Sequence, residues 1–226
     1  MTADAGSLDL SGGLVDLLVA VGAELASHKD ELNRLDGVAG DGDLGVTVTL
    51  AAEAIAAIAS GIRGLTTPDA LRQVGTEIAR KAPSTSGTLV AFAFLAAGRV
   101  GGVDAEGAGP GAIPYLEAGA RSIEERGKVS VGDRTMLDAL RPGVDAFRVA
   151  IERGDPLPEA VRAAVTAADQ GAAATAAMTP TVGRAAWLGE RARDHEDAGA
   201  RLVAMAIEAA SEHLANPKAP PERSSR

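Results

Sequence analysis

Apolar residues recur at intervals of three and four positions along most of this chain of 226 residues. That spacing places apolar side chains on one face of an α-helix. In the first such segment, residues 11–34 with Ser11 as the N-cap, this face carries Leu14, Leu17, Leu18, Val21 and Leu25. No segment alternates apolar and polar residues for long enough to predict a sheet. The nearest candidate, "TVTL" at 47–50, runs directly into an alanine-rich helical pattern. The spacing therefore predicts an all-α fold.

Glycine, proline and polar residues divide the rest of the chain into further predicted helices. One opens with Thr67, Pro68 and Asp69, an order typical of a helix start, and another contains Pro142, which predicts a kink or an offset. The predicted helices cover residues 11–34, about 44–60, 66–82, 88–98, 112–126, 135–153, 156–178 and 196–214. About eight helices with short connections predict an antiparallel helical bundle or barrel.

The pattern shows neither a domain boundary nor an internal repeat. We expect one helical domain over residues 11–214, an N-terminal extension over 1–10 and a disordered tail over 215–226. The composition of residues 101–111, "GGVDAEGAGPG", predicts a flexible loop inside the domain.

Composition narrows the class of protein further. Hydrophobic residues make up 46% of the chain, alanine being by far the commonest of them, and aromatic residues make up only 2%. Alanine favours helices and lets them approach closely. The net charge of −9 and the few aromatic side chains argue against a nucleic-acid partner. The chain has no cysteine, which excludes disulfides and thiolate sites. Since it shows neither a basic-then-apolar leader nor an uninterrupted apolar run near 20 residues, we expect a cytoplasmic protein without a membrane partner.

The most unusual stretch is "LDGVAGDGDLG" at 35–45, which holds three aspartates and four glycines. Residues 40–45 match G-x-G-x-x-G, but a dinucleotide site needs a strand before the glycines and an acidic residue about 20 positions later. A polar helix end and "SGIRGL" occupy those places. An EF-hand beginning at Asp41 would need ligands where Gly45 and Ala52 stand. The chain contains no Walker A lysine motif either. These three interpretations fail.

Two interpretations of the stretch remain. Asp36, Asp41 and Asp43, spaced D-x4-D-x-D, would repel one another unless cations bridged them, and carboxylate oxygens favour Mg²⁺ or Ca²⁺. The glycines and the N-terminus of the following helix would then let phosphate groups come close. Alternatively, the stretch is a solvated turn, for which aspartate and glycine are common material.

Four segments of the chain together resemble a known family. "LDGVAGDGDLGVTV", "PSTSGTL", "GDRTMLDAL" and "GRAAWLGERARDHEDAGA" occur in this order. They are similar to L-D-x-x-x-G-D-x-D-H-G-x-N-M, G-G-A-S-G-P-L, G-D-K-T-M-L-D-A-L and G-R-A-S-Y-L-G-E-R-S…D-P-G-A of the L-subunit family of dihydroxyacetone kinases, also called the DAK phosphatase domain. The resemblance extends from about Leu14 to Leu214.

The resemblance implies an eight-helix barrel with a nucleotide site at one end, binding ADP or ATP through two Mg²⁺ ions. It assigns the metal ligands to Asp36, Asp41 and Asp43, and a catalytic, charge-stabilising role to Arg184. It assigns nucleotide contacts to Leu44, Gly45, Val46, Thr47, Thr85, Ser86, Gly127, Met136, Arg184, Asp197, Ala198 and Gly199. Leu44 stands where the family often has histidine, Thr47 where it has asparagine, and residues 83–86 replace Gly-Gly-Ala-Ser.

The family also implies partners. Its hydroxyketone is held covalently by a histidine on a separate K-type subunit or domain, which this sequence does not contain. We therefore expect the nucleotide-binding part of a kinase that passes phosphate to dihydroxyacetone or a related short-chain ketose, and that is inactive without its partner. The phosphoryl donor is either ATP or an M-type protein of the phosphotransferase system. A fatty-acid kinase type and a nucleotide-sensing regulatory module without transferase activity are the alternatives.

Overall fold

The structure is a computed structural model that describes residues 10–101, 110–183, 186 and 194–217. Over these ranges the chain forms nine α-helices and two short 3-10 turns, and no strand. The helices are α1 Leu10–Ser27, α2 Lys29–Ala39, α3 Leu44–Ile62, α4 Thr67–Lys81, α5 Thr85–Ala97, α6 Ile113–Gly127, α7 Leu137–Glu152, α8 Leu157–Ala174 and α9 Ala198–Ala215. The 3-10 turns are Pro110–Ala112 before α6 and Thr175–Ala177 after α8. The all-α prediction is confirmed.

Eight of these helices form a closed ring. In the order α1, α3, α4, α5, α6, α7, α8, α9, each helix contacts the next, and α9 returns to contact α1. The remaining helix, α2, contacts α3 and α9. Ring neighbours joined by the short connections 63–66, 82–84 and 153–156 run in opposite directions. The fold is thus the predicted antiparallel barrel of eight helices, with α2 as an additional helix that follows α1 in the chain and packs against α3 and α9.

Small residues allow the helices of the barrel to approach closely. One core cluster between α7, α8 and α9 consists entirely of alanine: Ala139, Ala168, Ala172, Ala200 and Ala204. At Gly171 of α8, an added Cβ would lie 2.1 Å from the carbonyl oxygen of Asp138 in α7. Pro142, four residues after Asp138, has no N–H to donate to that carbonyl. Pro142 and Gly171 together therefore let α8 pack directly on the backbone of α7, which continues through the proline.

The prediction of one helix over residues 11–34 is wrong. The chain breaks at His28, so α1 ends at Ser27 and α2 begins at Lys29. Asp30 and Glu31 lie in the first turn of α2, where negative side chains interact favourably with the helix dipole. The new direction also buries Leu32 completely. Ser11 is not the N-cap, since α1 begins one residue before it.

The remaining boundaries lie close to the predicted ones. Thr66, rather than Thr67, caps α4 and accepts a hydrogen bond from the N–H of Asp69. Most of the predicted loop at 101–111 lies outside the described residues, as do most of the residues of the extension and the tail.

Helix α3 bears on the expectation that the chain has no apolar run long enough to span a membrane. By length and composition alone, α3 is apolar enough to cross a membrane, although Glu53 interrupts its apolar residues. Within the barrel, α3 contacts α1, α2, α4 and α5, and it buries Ile55 and Ile62 in a core cluster. A core helix passes the same test, so α3 is weak support for a membrane span.

The contact between α7 and α8 predicts opposite effects for two glycine-to-alanine substitutions. Gly171→Ala should destabilise the protein by about 1–3 kcal/mol, because the new methyl group forces two helix backbones apart. Gly61→Ala in α3 is the matched control: nothing lies within 4 Å of its Cβ position. There, the better helix propensity of alanine should stabilise by up to about 1 kcal/mol. Urea unfolding measures both changes; equal effects would contradict the close approach at Gly171.

Candidate functional site

The N-termini of α3, α5, α7 and α9 lie at one end of the barrel. At the start of α3, Leu44 packs in one cluster with Leu202 from α9. Just before α7, Met136 lies against Gly199 in the first turn of α9. Met136 also shares a cluster with Leu89 from the first half of α5. We call this the site end, because every predicted site residue that the structure describes lies there.

Helix N-termini favour negative ligands. Their first N–H groups have no partner within the helix and carry a positive partial charge. Four such N-termini at one end make the site end suited to an anion such as a phosphate group.

The three aspartates converge at the site end. Asp36 lies in the last turn of α2, Asp41 in the following loop, and Asp43 at the N-cap position of α3. One carboxylate oxygen from each lies within 4.8 Å of the other two. Asp41 and Asp43 are exposed and Asp36 is half-buried. Convergent, accessible carboxylate oxygens form a donor set that suits a hard divalent cation such as Mg²⁺.

The backbone of this loop is fixed by Asp36 and by glycines. Oδ2 of Asp36 accepts hydrogen bonds from the N–H of Gly42 (2.8 Å) and of Asp43 (3.1 Å). Gly42 has a φ of +75°, in the left-handed region that favours glycine. A Cβ at Gly40 would lie 2.2 Å from Oδ1 of Asp36, and a Cβ at Gly45 would lie 2.0 Å from the carbonyl oxygen of Lys29. The glycines are therefore required to bring the loop against α2.

In the first turn of α3, the backbone is more available to a ligand than most of the side chains are. The side chain of Leu44 is 4% exposed and packs in the core, so Leu44 meets a ligand through its backbone or not at all. Thr47 is buried as well, whereas Val46 is exposed. The N–H of Gly45 donates to Oδ1 of Asn33 at 2.7 Å. Asn33, which sequence analysis missed, thus ties α2 to the start of α3.

The second predicted contact region forms the start of α5. Ser84 is its N-cap and accepts a hydrogen bond from the N–H of Gly87 at 3.0 Å. The hydroxyls of Ser84 and Ser86 lie 3.3 Å apart, and Thr85 is exposed. A Cβ at Gly87 would lie 2.1 Å from the carbonyl oxygen of Ala82. This tight turn presents the hydroxyls of Thr85 and Ser86 at the site end.

The loop before α7 contains a turn that sequence analysis did not interpret. Asp138 is 1% exposed, and its carboxylate accepts hydrogen bonds from the N–H of Thr135 (2.7 Å) and of Gly132. The hydroxyl of Thr135 accepts a hydrogen bond from the N–H of Leu137 at 3.2 Å. The bond from the N–H of Thr135 to Asp138 is one half of a capping box, whose signal, T-x-x-D, is present in "TMLD" at 135–138. Gly127, at the end of α6, and Met136 flank this turn, and Met136 is buried.

The third contact region forms the start of α9. Asp197 is its N-cap, with Oδ1 accepting a hydrogen bond from the N–H of Ala200 at 2.8 Å. The N–H of Asp197 donates to the hydroxyl of Thr175, a fully buried residue that sequence analysis also missed. Ala198 is buried, and Gly199 lies against Met136. Burial raises the pKa of Asp197 to about 6, although the hydrogen bond from Ala200 and the charge of Arg134 act in the opposite direction.

The structure thus brings together the predicted metal ligands and places the described nucleotide-contact candidates at the same barrel end, at the starts of α3, α5, α7 and α9 and, for Gly127, at the end of α6. Arg184, the predicted catalytic residue, lies outside the described residues.

The fold and the site together define the class: a helical-barrel protein with a candidate metal and anion site at one end. Convergent aspartates form the metal part of that site, and four helix N-termini form the anion part. Comparison with known proteins gives the family. The profile of the DAK2 domain matches residues 38–212. The chain is 30% identical over 207 residues to the ADP-binding subunit DhaL of the PEP-dependent dihydroxyacetone kinase 2 of Listeria innocua. It therefore belongs to the DAK2 domain family, in its DhaL type.

Two further relatives are larger proteins. An L-erythrulose kinase of Pectobacterium atrosepticum is 34% identical over 183 residues, which cover 80% of this chain and 31% of the kinase. The crystal structure of the dihydroxyacetone kinase of C. freundii with AMP-PNP and Mg²⁺ superimposes with a TM-score of 0.70 at 27% identity, over 94% of this chain and 36% of that one. The chain spans about a third of these proteins, but the match covers 88% of the chain and 92% of the Listeria subunit.

Asp197 predicts a specific dependence of stability on pH. Its folded pKa of about 6 lies above the ordinary 3.8, so between about pH 4 and 6 the folded state binds more protons than the unfolded state. Its contribution to stability therefore falls as pH rises through this window, by at most about 3 kcal/mol.

Asp197→Asn keeps an N-cap acceptor and removes the charge. Relative to wild type, this variant should be more stable above pH 6, with the difference shrinking toward pH 4. Urea unfolding at several pH values measures it, with Glu53→Gln, an exposed acid on α3, as the control for removing one negative charge. A difference that does not vary with pH would contradict the raised pKa.

Proposed function

We propose that this chain is the nucleotide-binding subunit of a dihydroxyacetone kinase-type enzyme and binds ADP or ATP with Mg²⁺ at the site end. The observation that carries the proposal is the convergence of the Asp36, Asp41 and Asp43 oxygens within 4.8 Å, beside the N-terminus of α3. Two relatives support it: the Listeria subunit is described as ADP-binding, and the C. freundii kinase was crystallised with AMP-PNP and Mg²⁺.

The residues of the site end fit such a ligand. The three aspartates would hold one or two Mg²⁺ ions, which, when bound, neutralise charge on phosphate oxygens. Gly40, Gly42 and Gly45 let the loop lie against α2, which keeps Asp41 and Asp43 beside Asp36. The first turns of α3 and α5 contribute N–H groups and the hydroxyls of Thr85 and Ser86. The start of α9 would contact the same nucleotide through Asp197, Ala198 and Gly199.

The acceptor and its partner form the second part of the proposal. We infer that a K-type subunit holds dihydroxyacetone or a related short-chain ketose against the site end, and that Arg184 stabilises charge during phosphoryl transfer. Relatives described as erythrulose kinases widen the substrate class to four-carbon ketoses. The donor is ATP or, with a bound ADP that is recharged, an M-type protein of the phosphotransferase system. The enzyme works in the cytoplasm.

The first part is tested by nucleotide binding. In isothermal titration calorimetry, ADP or ATP should bind in Mg²⁺ or Mn²⁺ and not in EDTA. Asp41→Asn should weaken nucleotide binding by more than about tenfold, since it removes one charged metal ligand. The apo protein should keep or gain stability, because one of three mutually repelling charges is gone.

Glu53→Gln is the matched control for that experiment, since it removes one charge from an exposed position of α3 and should leave binding unchanged. Equal nucleotide affinity in Mg²⁺ and EDTA would refute the metal-dependent site. A large loss of apo stability in Asp41→Asn would instead indicate a structural role for the aspartates.

The second part is tested by turnover. The chain alone in Mg·ATP should not phosphorylate dihydroxyacetone or erythrulose, because phosphoryl transfer requires donor and acceptor to be held in line. A K-type subunit should restore transfer, with ATP or a phosphorylated M-type protein as donor. Turnover by the isolated chain that is lost in Asp41→Asn would show an acceptor site within this chain. Nucleotide binding without transfer to any ketose in the reconstituted system would favour a nucleotide-sensing module.

A further inference from the structure

Two loops at the site end, residues 128–136 before α7 and 194–197 before α9, hold backbone conformations that are rare outside glycine. Lys128, Arg134 and Asp194 have φ values of 52°, 62° and 66°, and they are the only non-glycine residues with positive φ in the described part of the chain. Such conformations cost free energy and persist where surrounding contacts enforce them, often at functional sites. All three lie in these two loops.

Arg134 joins the two loops. It is 3% exposed, and its Nη2 donates a hydrogen bond to the carbonyl oxygen of His195 at 2.7 Å. The loop that carries Arg134 is itself held by Asp138, which accepts hydrogen bonds from the N–H groups of Gly132 and Thr135 on either side of the arginine. A long cationic side chain is rarely buried without a specific use for its charge and donors.

Besides its contacts with α9 itself, such as the ion pair of Glu196 with Arg201, the segment 194–197 makes three described hydrogen bonds to other elements. The N–H of Asp194 donates to the carbonyl oxygen of Ala176 at 3.1 Å, Arg134 binds the carbonyl of His195, and the N–H of Asp197 donates to Thr175. Of these contacts, only that of Arg134 comes from the α7 side of the barrel; the other two come from the 3-10 turn after α8. The charge of Arg134 also acts on Asp197, opposing the effects of burial and of Asp138 on its pKa. Arg134 thus contributes both a hydrogen bond and a positive charge to the start of α9.

We propose that Arg134 is a positioning residue: from the loop before α7, it holds residues 194–197 and thereby the first turn of α9 at the nucleotide end of the barrel. This inference rests on the proposed function for its binding readout. It assigns to Arg134 a role separate from that of the metal ligands, because Arg134 lies in the loop before α7 and bonds to the segment before α9, whereas the three aspartates lie at the α2–α3 loop.

The test compares Arg134→Gln, which removes the charge, with Arg134→Lys, which keeps it, and with Arg121→Gln, an exposed arginine of α6, as control. Calorimetry measures Mg·ADP affinity, and electron paramagnetic resonance measures Mn²⁺ binding without nucleotide. Arg134→Gln should lose roughly 10–100-fold in nucleotide affinity, the size of loss that follows when a residue that orients binding groups is removed, while Mn²⁺ affinity stays within about twofold. Arg134→Lys should recover most of the nucleotide affinity, and Arg121→Gln should bind like wild type.

Hydrogen exchange makes the test independent of the proposed function. In Arg134→Gln, the amides of Asp197 and Ala200 should exchange faster, while those in the first turn of α3 stay at the wild-type rate. Unchanged exchange at α9 overturns the positioning role, even if the wild-type chain binds no nucleotide and the proposed function fails. Wild-type nucleotide affinity in Arg134→Gln, or an equal loss of Mn²⁺ and nucleotide binding, overturns it as well.

If Arg134→Gln does not fold, Thr175→Val tests the same segment from its other side. It removes the hydroxyl that accepts from the N–H of Asp197 and keeps a similar volume. The same pattern is expected: weaker nucleotide binding, retained Mn²⁺ binding and faster exchange at the start of α9. A Thr175→Val protein with wild-type nucleotide affinity would show that the position of this segment does not control binding, and would overturn the proposal.

Discussion

Close contact between helix backbones at alanine and glycine positions is the constraint on which the rest of the structure depends. A core with few aromatic residues buries little area per side chain, so it gains stability from many short contacts rather than from a few large ones. Such contacts occur in the alanine cluster between α7, α8 and α9, and where Gly171 packs against the carbonyl oxygen of Asp138. Each fixes how far one helix is displaced along its neighbour. These displacements fix where the helices end, and hence where the loops of the site end lie.

The site end combines two opposing electrostatic features. Three carboxylates repel one another in the loop between α2 and α3, within a chain whose net charge is already −9. Four helix N-termini at the same end carry positive partial charge, and the N–H groups of Gly42 and Asp43 partly compensate Asp36. A divalent cation would satisfy the carboxylates and a phosphate would satisfy the helix ends. The two ligands are therefore electrostatically complementary at this site, which supports the proposal of a metal-bound nucleotide at this end of the barrel.

The two walls of the site end are built differently. On the α2–α3 wall, glycines bring the loop against α2, and the aspartates remain accessible to solvent. On the α7–α9 wall, polar side chains are buried: Asp138 accepts hydrogen bonds from the loop before α7, while Arg134 and Thr175 bond to backbone groups at the start of α9. The first wall is suited to binding ions from solution. The second is suited to presenting the first turn of a helix in a fixed position, which requires buried and mutually satisfied partners.

Much of this protein could be predicted from local patterns. The apolar spacing predicted the helices, since a helix of 3.6 residues per turn repeats its face whatever surrounds it. The D-x4-D-x-D spacing and the four ordered motifs indicated the aspartate cluster and the family, because short-range spacing and motif order are written directly in the chain. The break at His28 was not predicted because no glycine or proline marks it in the sequence, and the burial of Leu32 that accompanies the new direction is a tertiary contact.

Sequence alone thus determined the helical class, the family and the residues available for a metal site, all of which depend on neighbours within a few positions. Tertiary structure alone decided that Leu44 faces the core, that Asn33 ties α2 to α3, and that Arg134 and Thr175 hold the start of α9. Arg134 and His195 are 61 positions apart, and no local sequence pattern in either segment indicates that they are in contact. Closure of the barrel brings them together, because contacts across a ring are set by the packing of every helix between them.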